Sequence, residues 1–143
     1  MPTHAEKRHL PHSSQQMFNL VSDVAKYPEF LPWCVGTRIK EEDSQHIVAD
    51  MVIGYKIFRE KFTSRVEFSA PDRINVFYEN GPFKYLNNHW IFTSEEDGSC
   101  TVDFFVDFEF HSKLLQKTIG VMFNEAVKIM VHAFEKRAAI IYK

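Results

Sequence analysis

From Phe58 to Phe68 the chain alternates. Phe58, Phe62, Val66 and Phe68 fall on one side together with Glu60 and Ser64, while Arg59, Lys61, Thr63, Arg65 and Glu67 fall on the other. A period of two marks a strand with one face toward an interior and one toward water. Val102, Phe104, Val106, Phe108 and Phe110 repeat that pattern against Asp103, Phe105, Asp107 and Glu109. Between these runs, residues 74–80 and 83–94 predict two further strands, the second carrying Trp90 and Phe92 on one face. Gly81 and Pro82 divide them, and "EEDGS" at 95–99 supplies an Asp-Gly hairpin turn. Upstream, residues 35–42 and 46–56 predict a hairpin around "EEDSQ", with Ile47, Ala49, Met51 and Ile53 sharing a face. A weaker alternation predicts an opening strand at 3–10.

Two segments change the period. Ser13 and Gln16 form a capping-box pair ahead of Met17, Leu20, Val21 and Val24, which predicts a helix over 14–25. From Ser112 onward, Leu115, Ile119, Met122, Phe123, Ala126, Ile129, Met130, Ala133, Phe134, Ile140 and Ile141 make a broad helical stripe. Such a helix spans roughly 45 Å, enough to cross a small sheet. Strands in series followed by one long helix indicate an α+β domain whose antiparallel sheet is covered on one face. One stretch fits neither pattern: "KYPEFLPWC" sets Tyr27, Phe30, Leu31 and Trp33 around Pro28 and Pro32. The prolines allow at most one helical turn between them, with Pro28 suited to a first helical position. The segment therefore reads as an apolar plug over either core or cavity.

Composition narrows the possibilities. A chain of 143 residues suits one domain spanning 1–143. The net charge of -2 is scattered, which argues against a nucleic-acid binder and against DNA as a partner. Cys34 and Cys100 have no neighbour at metal-ligand spacing, so a reducing compartment and no metal are expected. The N-terminal residues are polar, and no run approaches the ~20 apolar residues of a membrane span, so a cytoplasmic location is expected. The 14 Phe help make the chain 15% aromatic, which suits a thick core or the wall of an apolar pocket.

No phosphate-cradling glycine cluster or familiar catalytic signature is present, and His9, His12, His89, His111 and His132 read as solvated or hydrogen-bonded histidines. Glu60 and Ser64 stand out because their strand sets them among phenylalanines. Strand twist can leave them at a rim, or they can touch a ligand.

The order of "MFNLVSDVAKYPEFLPWC", "FREKFTSRV", "GPFKYLNNHW", "VDFEF" and "AFEKRA" resembles the coenzyme Q-binding START-domain family, within the polyketide cyclase/dehydrase-like group. The resemblance covers almost the whole chain. It implies a helix-grip fold: a curved antiparallel sheet wrapped around the long C-terminal helix, with two short helices after the first strand and a cavity between sheet and helix. On that map the cavity wall is Phe62, Phe68, Trp90, Phe92, Phe104, Phe108, Phe110, Met122, Phe123, Ala126 and Met130, although a packed core explains the same residues. Tyr27, Phe30, Leu31, Trp33 and Phe83 become a portal, with Phe30, Leu31 and Trp33 touching membrane lipid or gating the ligand. The implied ligand is ubiquinone or a related polyisoprenoid, held without catalysis or a required cofactor. The implied role is support of quinone biosynthesis or respiratory electron transport, in the cytoplasm or peripherally at the inner face of the respiratory membrane. Two alternatives come with the resemblance: a toxin-like protein that contacts the ribosome and blocks subunit joining, and a polyketide cyclase or aromatase-like enzyme.

Overall fold

The computed structural model describes residues 3–31, 34–55, 58–69 and 72–142, and the side chains of all of these except 55, 58 and 119–124. The alternating runs become strands β1 (Thr3–Leu10), β2 (Cys34–Glu42), β3 (His46–Tyr55), β4 (Phe58–Ser69), β5 (Arg73–Asn80), β6 (Phe83–Ser94) and β7 (Cys100–Phe110). They form one open, curved antiparallel sheet in the order β1-β7-β6-β5-β4-β3-β2. Every neighbour except the β1–β7 pair joins strands adjacent in sequence. Two register shifts, between Cys34 and Gly36 and between Ile39 and Glu41, kink the edge strand β2.

The helix α1 spans Ser14–Ser22, opened by the expected capping box between Ser13 and Gln16. It stops short of residue 25 because Asp23 leaves helical geometry at φ -85, ψ 68. The chain then tightens into a 3₁₀ helix, Val24–Glu29, which holds Pro28 near its end rather than at its first position. A 3₁₀ turn lets the apolar spacing run on through Val24 without the full α-helical ladder. The backbone N–H groups of Phe30 and Leu31 both donate to the Tyr27 carbonyl, at 3.2 and 2.9 Å. The apolar segment is thus a short extension of α1, turned back on itself. Pro32 and Trp33 lie outside the described residues.

The long helix α2, Lys113–Ile141, starts at the Ser112 cap and lies across the concave face. Phe134 sits at its crossing point, with ring centroids 5.1 Å from Trp90, 5.4 Å from Tyr27 and 5.2 Å from Phe30. Near the C-terminal end, Arg137 lies over the Phe30 ring and pairs with Glu29 at 3.0 Å. On the other flank, Arg8 of β1 reaches Glu135 at 2.7 Å. These pairs tie the 3₁₀ segment and the edge strand β1 to one helix. Among the described residues no helix is long and apolar enough to cross a membrane.

Candidate ligand-binding cavity

Alternation puts the same parity of every strand on the concave face, and the side chains there meet different partners along the sheet. At one end α1 lies directly on it. Phe18 meets Phe68 and Phe92 edge to face, at 5.9 and 6.1 Å, and Phe92 is 1% exposed. Farther along, the opposing surface is α2 with Ala126, Val127 and Met130, and these leave a cavity of about 240 Å³. Phe62, Phe83, Phe104, Phe108 and Phe110 border it from the sheet, and Val21, Val24, Tyr27 and Leu31 border it from the α1 side.

The expected wall residues therefore separate. Phe62, Trp90, Phe104, Phe108, Phe110, Ala126 and Met130 line the cavity. Phe68 and Phe92 do not, because Phe18 of α1 fills the space in front of them. The side chains of Met122 and Phe123 lie outside the described residues. Of the expected portal, Tyr27 lines the cavity, and so does Leu31, which is buried rather than offered to membrane lipid. Phe30 is set back beneath Arg137 and against Phe134. Phe83, expected at the portal, is instead 5% exposed inside the wall, stacked on Phe110 at 4.8 Å and edge-on to Phe62 at 5.5 Å.

Gly81 makes that wall possible. Its φ is +148, and a Cβ there would come within 2.6 Å of the Phe62 Cβ. A side chain at Gly81 would push Phe62 from its place.

Several lining residues were not singled out from the sequence. Met51, Leu86 and Asn88 share the parity of residues that were, and Phe134 belongs to the helical stripe, so the signal was there. Glu60 and Ser64 part ways. Ser64 is 6% exposed and lines the cavity, so the rim alternative does not hold for it, whereas Glu60 is half-buried and is not part of the lining.

The cavity is almost free of charge. No Asp, Glu, His, Lys or Arg borders it among the described residues. Its polar groups among the described residues are the Trp90 indole, Tyr27, whose hydroxyl donates to the Val21 carbonyl, Asn88, whose amide donates to the Phe105 carbonyl at 2.8 Å, and Ser64. Burial pushes the Tyr27 phenol far above its ordinary range. Burial also pushes the Cys34 thiol up to about 11, so it stays protonated at neutral pH. The histidines do not converge here: His89 stacks on Phe105 on the convex face, and His111 and His132 are exposed. Among the described residues no group of three or more His, Cys, Asp or Glu could hold a metal ion.

Residues 10–135 match the family described as polyketide cyclase / dehydrase and lipid transport. The chain belongs to that family. Within it, the chain is 38% identical over 130 residues to the ribosome association toxin RatA of Vibrio cholerae, covering 91% of this chain and 90% of that one. It is 33% identical to the mitochondrial coenzyme Q-binding protein COQ10 homolog B of Xenopus laevis, covering 97% of this chain but 59% of that one. The solution structure of the 18 kDa protein CC1736 from Caulobacter crescentus is 35% identical, covers 99% of both chains and superimposes with a TM-score of 0.79. The polyketide cyclase family fold therefore carries relatives named for a quinone and relatives named for the ribosome, on one helix-grip scaffold.

Proposed function

We propose that this chain is a non-enzymatic lipid-binding protein that holds ubiquinone or a related polyisoprenoid in the cavity, in support of quinone biosynthesis or respiratory electron transport. One observation carries the reading: an aromatic cavity of about 240 Å³ between sheet and helix, bordered by no charged side chain among the described residues. Isoprenoid units suit such a lining, since each methylene removed from water contributes about 0.8 kcal/mol. The COQ10 relative supports the same ligand class. No lining side chain among the described residues is an Asp, Glu, His or Lys that could shuttle protons at neutral pH, so the cavity lends the cyclase alternative no support. A long tail exceeds this volume several times over. The head group and first isoprene units are held inside, and the remainder extends beyond the cavity.

Organic extraction of the protein purified from its own host, followed by mass spectrometry, tests the reading, with a co-purifying prenylated quinone as the expected result. Titration with short-tail quinones refines it: affinity rises over the first few isoprene units and then flattens. Extracts without any isoprenoid lipid, together with no binding of short-tail quinones, would sink it.

A second reading has its own support. The RatA relative is named for ribosome association. On the convex face, Arg38, Lys40 and Lys61 surround Asp50, with Arg59 and Arg65 farther along β4. A cationic group of this kind suits an RNA-rich surface despite the chain's net charge of -2. Under this reading the chain docks on a ribosomal subunit through the convex face and hinders joining. Co-sedimentation with ribosomal subunits at physiological salt, abolished by Arg38→Glu, Lys40→Glu and Lys61→Glu together, is the expected outcome.

A further inference from the structure

Besides Trp90, whose indole carries an N–H, three polar side chains border the cavity among the described residues, and two of them bond to the protein. Tyr27 donates to the Val21 carbonyl and Asn88 to that of Phe105. Ser64 differs. It is 6% exposed, and its Oγ has no hydrogen-bond partner among the described residues. Thr63, one position earlier and on the opposite face, shows the usual arrangement, because its hydroxyl donates to Asp50. A buried hydroxyl left unpaired is destabilising, and folded chains rarely retain one without a use.

The surroundings of Ser64 define what could pair with it. Across the strands it faces Ala49 on β3 and Tyr78 on β5, and on its own strand Phe62 and Val66 flank it on the same face. Ala49 offers no hydrogen-bonding side chain, and the Tyr78 oxygen accepts the Phe83 N–H at 3.0 Å. Ser64 is thus a lining residue whose buried hydroxyl is unpaired among the described residues. No cation lines the cavity among the described residues, so a carboxylate or phosphate head would be desolvated without a counter-charge. An uncharged oxygen has no such penalty.

We infer that Ser64 is the head-group anchor of the cavity, its Oγ–H donating to a carbonyl or ether oxygen on an uncharged ring, with the apolar tail leading away. The inference rests on the lipid-binding reading and adds to it both the polarity of the ligand and its orientation. It places the oxygen-bearing ring against the sheet beside Phe62 and Val66.

The test compares a benzoquinone bearing two isoprene units, an isoprenoid hydrocarbon of matched length and the corresponding isoprenoid carboxylate. Binding to wild type and to Ser64→Ala is followed by Trp90 fluorescence in a Trp33→Phe background. Loss of one neutral hydrogen bond should weaken quinone binding about five- to tenfold. The hydrocarbon should change less than twofold, and the carboxylate should bind more weakly than the quinone. Ser64→Ala should unfold at the same or a higher urea concentration, because no protein hydrogen bond is lost. In infrared difference spectra the quinone carbonyl band should lie lower in wild type than in Ser64→Ala.

Equal quinone affinity in the two proteins, an equal loss for quinone and hydrocarbon, or a tighter carboxylate would overturn the anchor while leaving the cavity a lipid site. If the wild type binds neither quinone nor hydrocarbon, the lipid-binding reading itself fails and the anchor falls with it.

Discussion

Beneath α1, Phe18 meets Phe68 and Phe92 at 5.9 and 6.1 Å, and none of these three rings borders the cavity. Beside α2, Phe62, Phe83, Phe108 and Phe110 approach one another still more closely, at 4.8 to 5.5 Å, yet they border a cavity. The residue type, the strand parity and the ring-to-ring packing are alike in both regions. What differs is the opposing helix. α1 sets Phe18 down onto Phe68 and Phe92, with Met17 and Leu20 also buried. α2 presents Ala126, Val127 and Met130 at the cavity, and the short Ala126 side chain leaves volume unfilled. Ring contacts alone do not make a core solid. Solidity comes from the residues that fill the opposite side.

The largest effect expected from this comparison is on stability. Phe92→Ala, in the solid region, should cost about 3 to 5 kcal/mol in urea unfolding. Phe62→Ala, which only enlarges an existing void, should cost less than half as much. Equal costs would break the distinction between the regions. The next effect reverses the direction of the change. Ala126→Phe should occupy the hollow and weaken short-tail quinone binding at least tenfold. Its stability should change by less than about 1 kcal/mol, where a packed site would lose about 1 to 3 kcal/mol to overpacking.

A smaller effect separates both aromatic regions from the convex face. The Asp50 carboxyl is held below its ordinary range, first by the Thr63 hydroxyl and then by Lys40, Lys61 and Arg38. A carboxylate depressed in the folded state stabilises fully above the usual carboxylate range, and that contribution disappears as pH falls through the folded value. Asp50→Asn should therefore cost about 1 to 2 kcal/mol at pH 7 and less near pH 2, with ligand affinity unaltered. Urea melts at the two pH values check this. The smallest effect is an absence of change. With no acid, imidazole or amine at the cavity among the described residues, and with the Tyr27 phenol raised, quinone affinity should stay within twofold from pH 5.5 to 8. A titration step in that window would show an ionisable group acting on the hollow region.

Strand faces were legible in the sequence because a period of two needs only adjacent residues. The boundaries of β4 and β7 follow their Phe-bearing runs to within two residues, and the Ser112 cap marks where α2 begins. The hollow was not legible. Phe68 and Phe62 have the same parity on one strand, and nothing local records that Phe18 stands over the first and not over the second. Ser64 had the same difficulty: its parity admitted a rim or an interior place, and only the cross-strand neighbours Ala49 and Tyr78 decide between them. The early end of α1 was hidden for another reason. Apolar spacing through Val24 survives the change from α to 3₁₀ geometry at Asp23, so hydrophobicity alone does not record the change.

The strand order also sets a sequence of events in folding. From β2 to β7 each strand pairs with the next along the chain, so those hairpins close over short loops at low entropic cost. β1 is the exception, since Leu10 pairs with Cys100 and Thr3 with Asp107. During synthesis it emerges first, yet its partner appears only after the rest of the sheet has been made. Such long-range closure is slow relative to local pairing. Weakening the β1–β7 seam should therefore accelerate unfolding while leaving the folding rate almost untouched, the signature of contacts that form after the transition state.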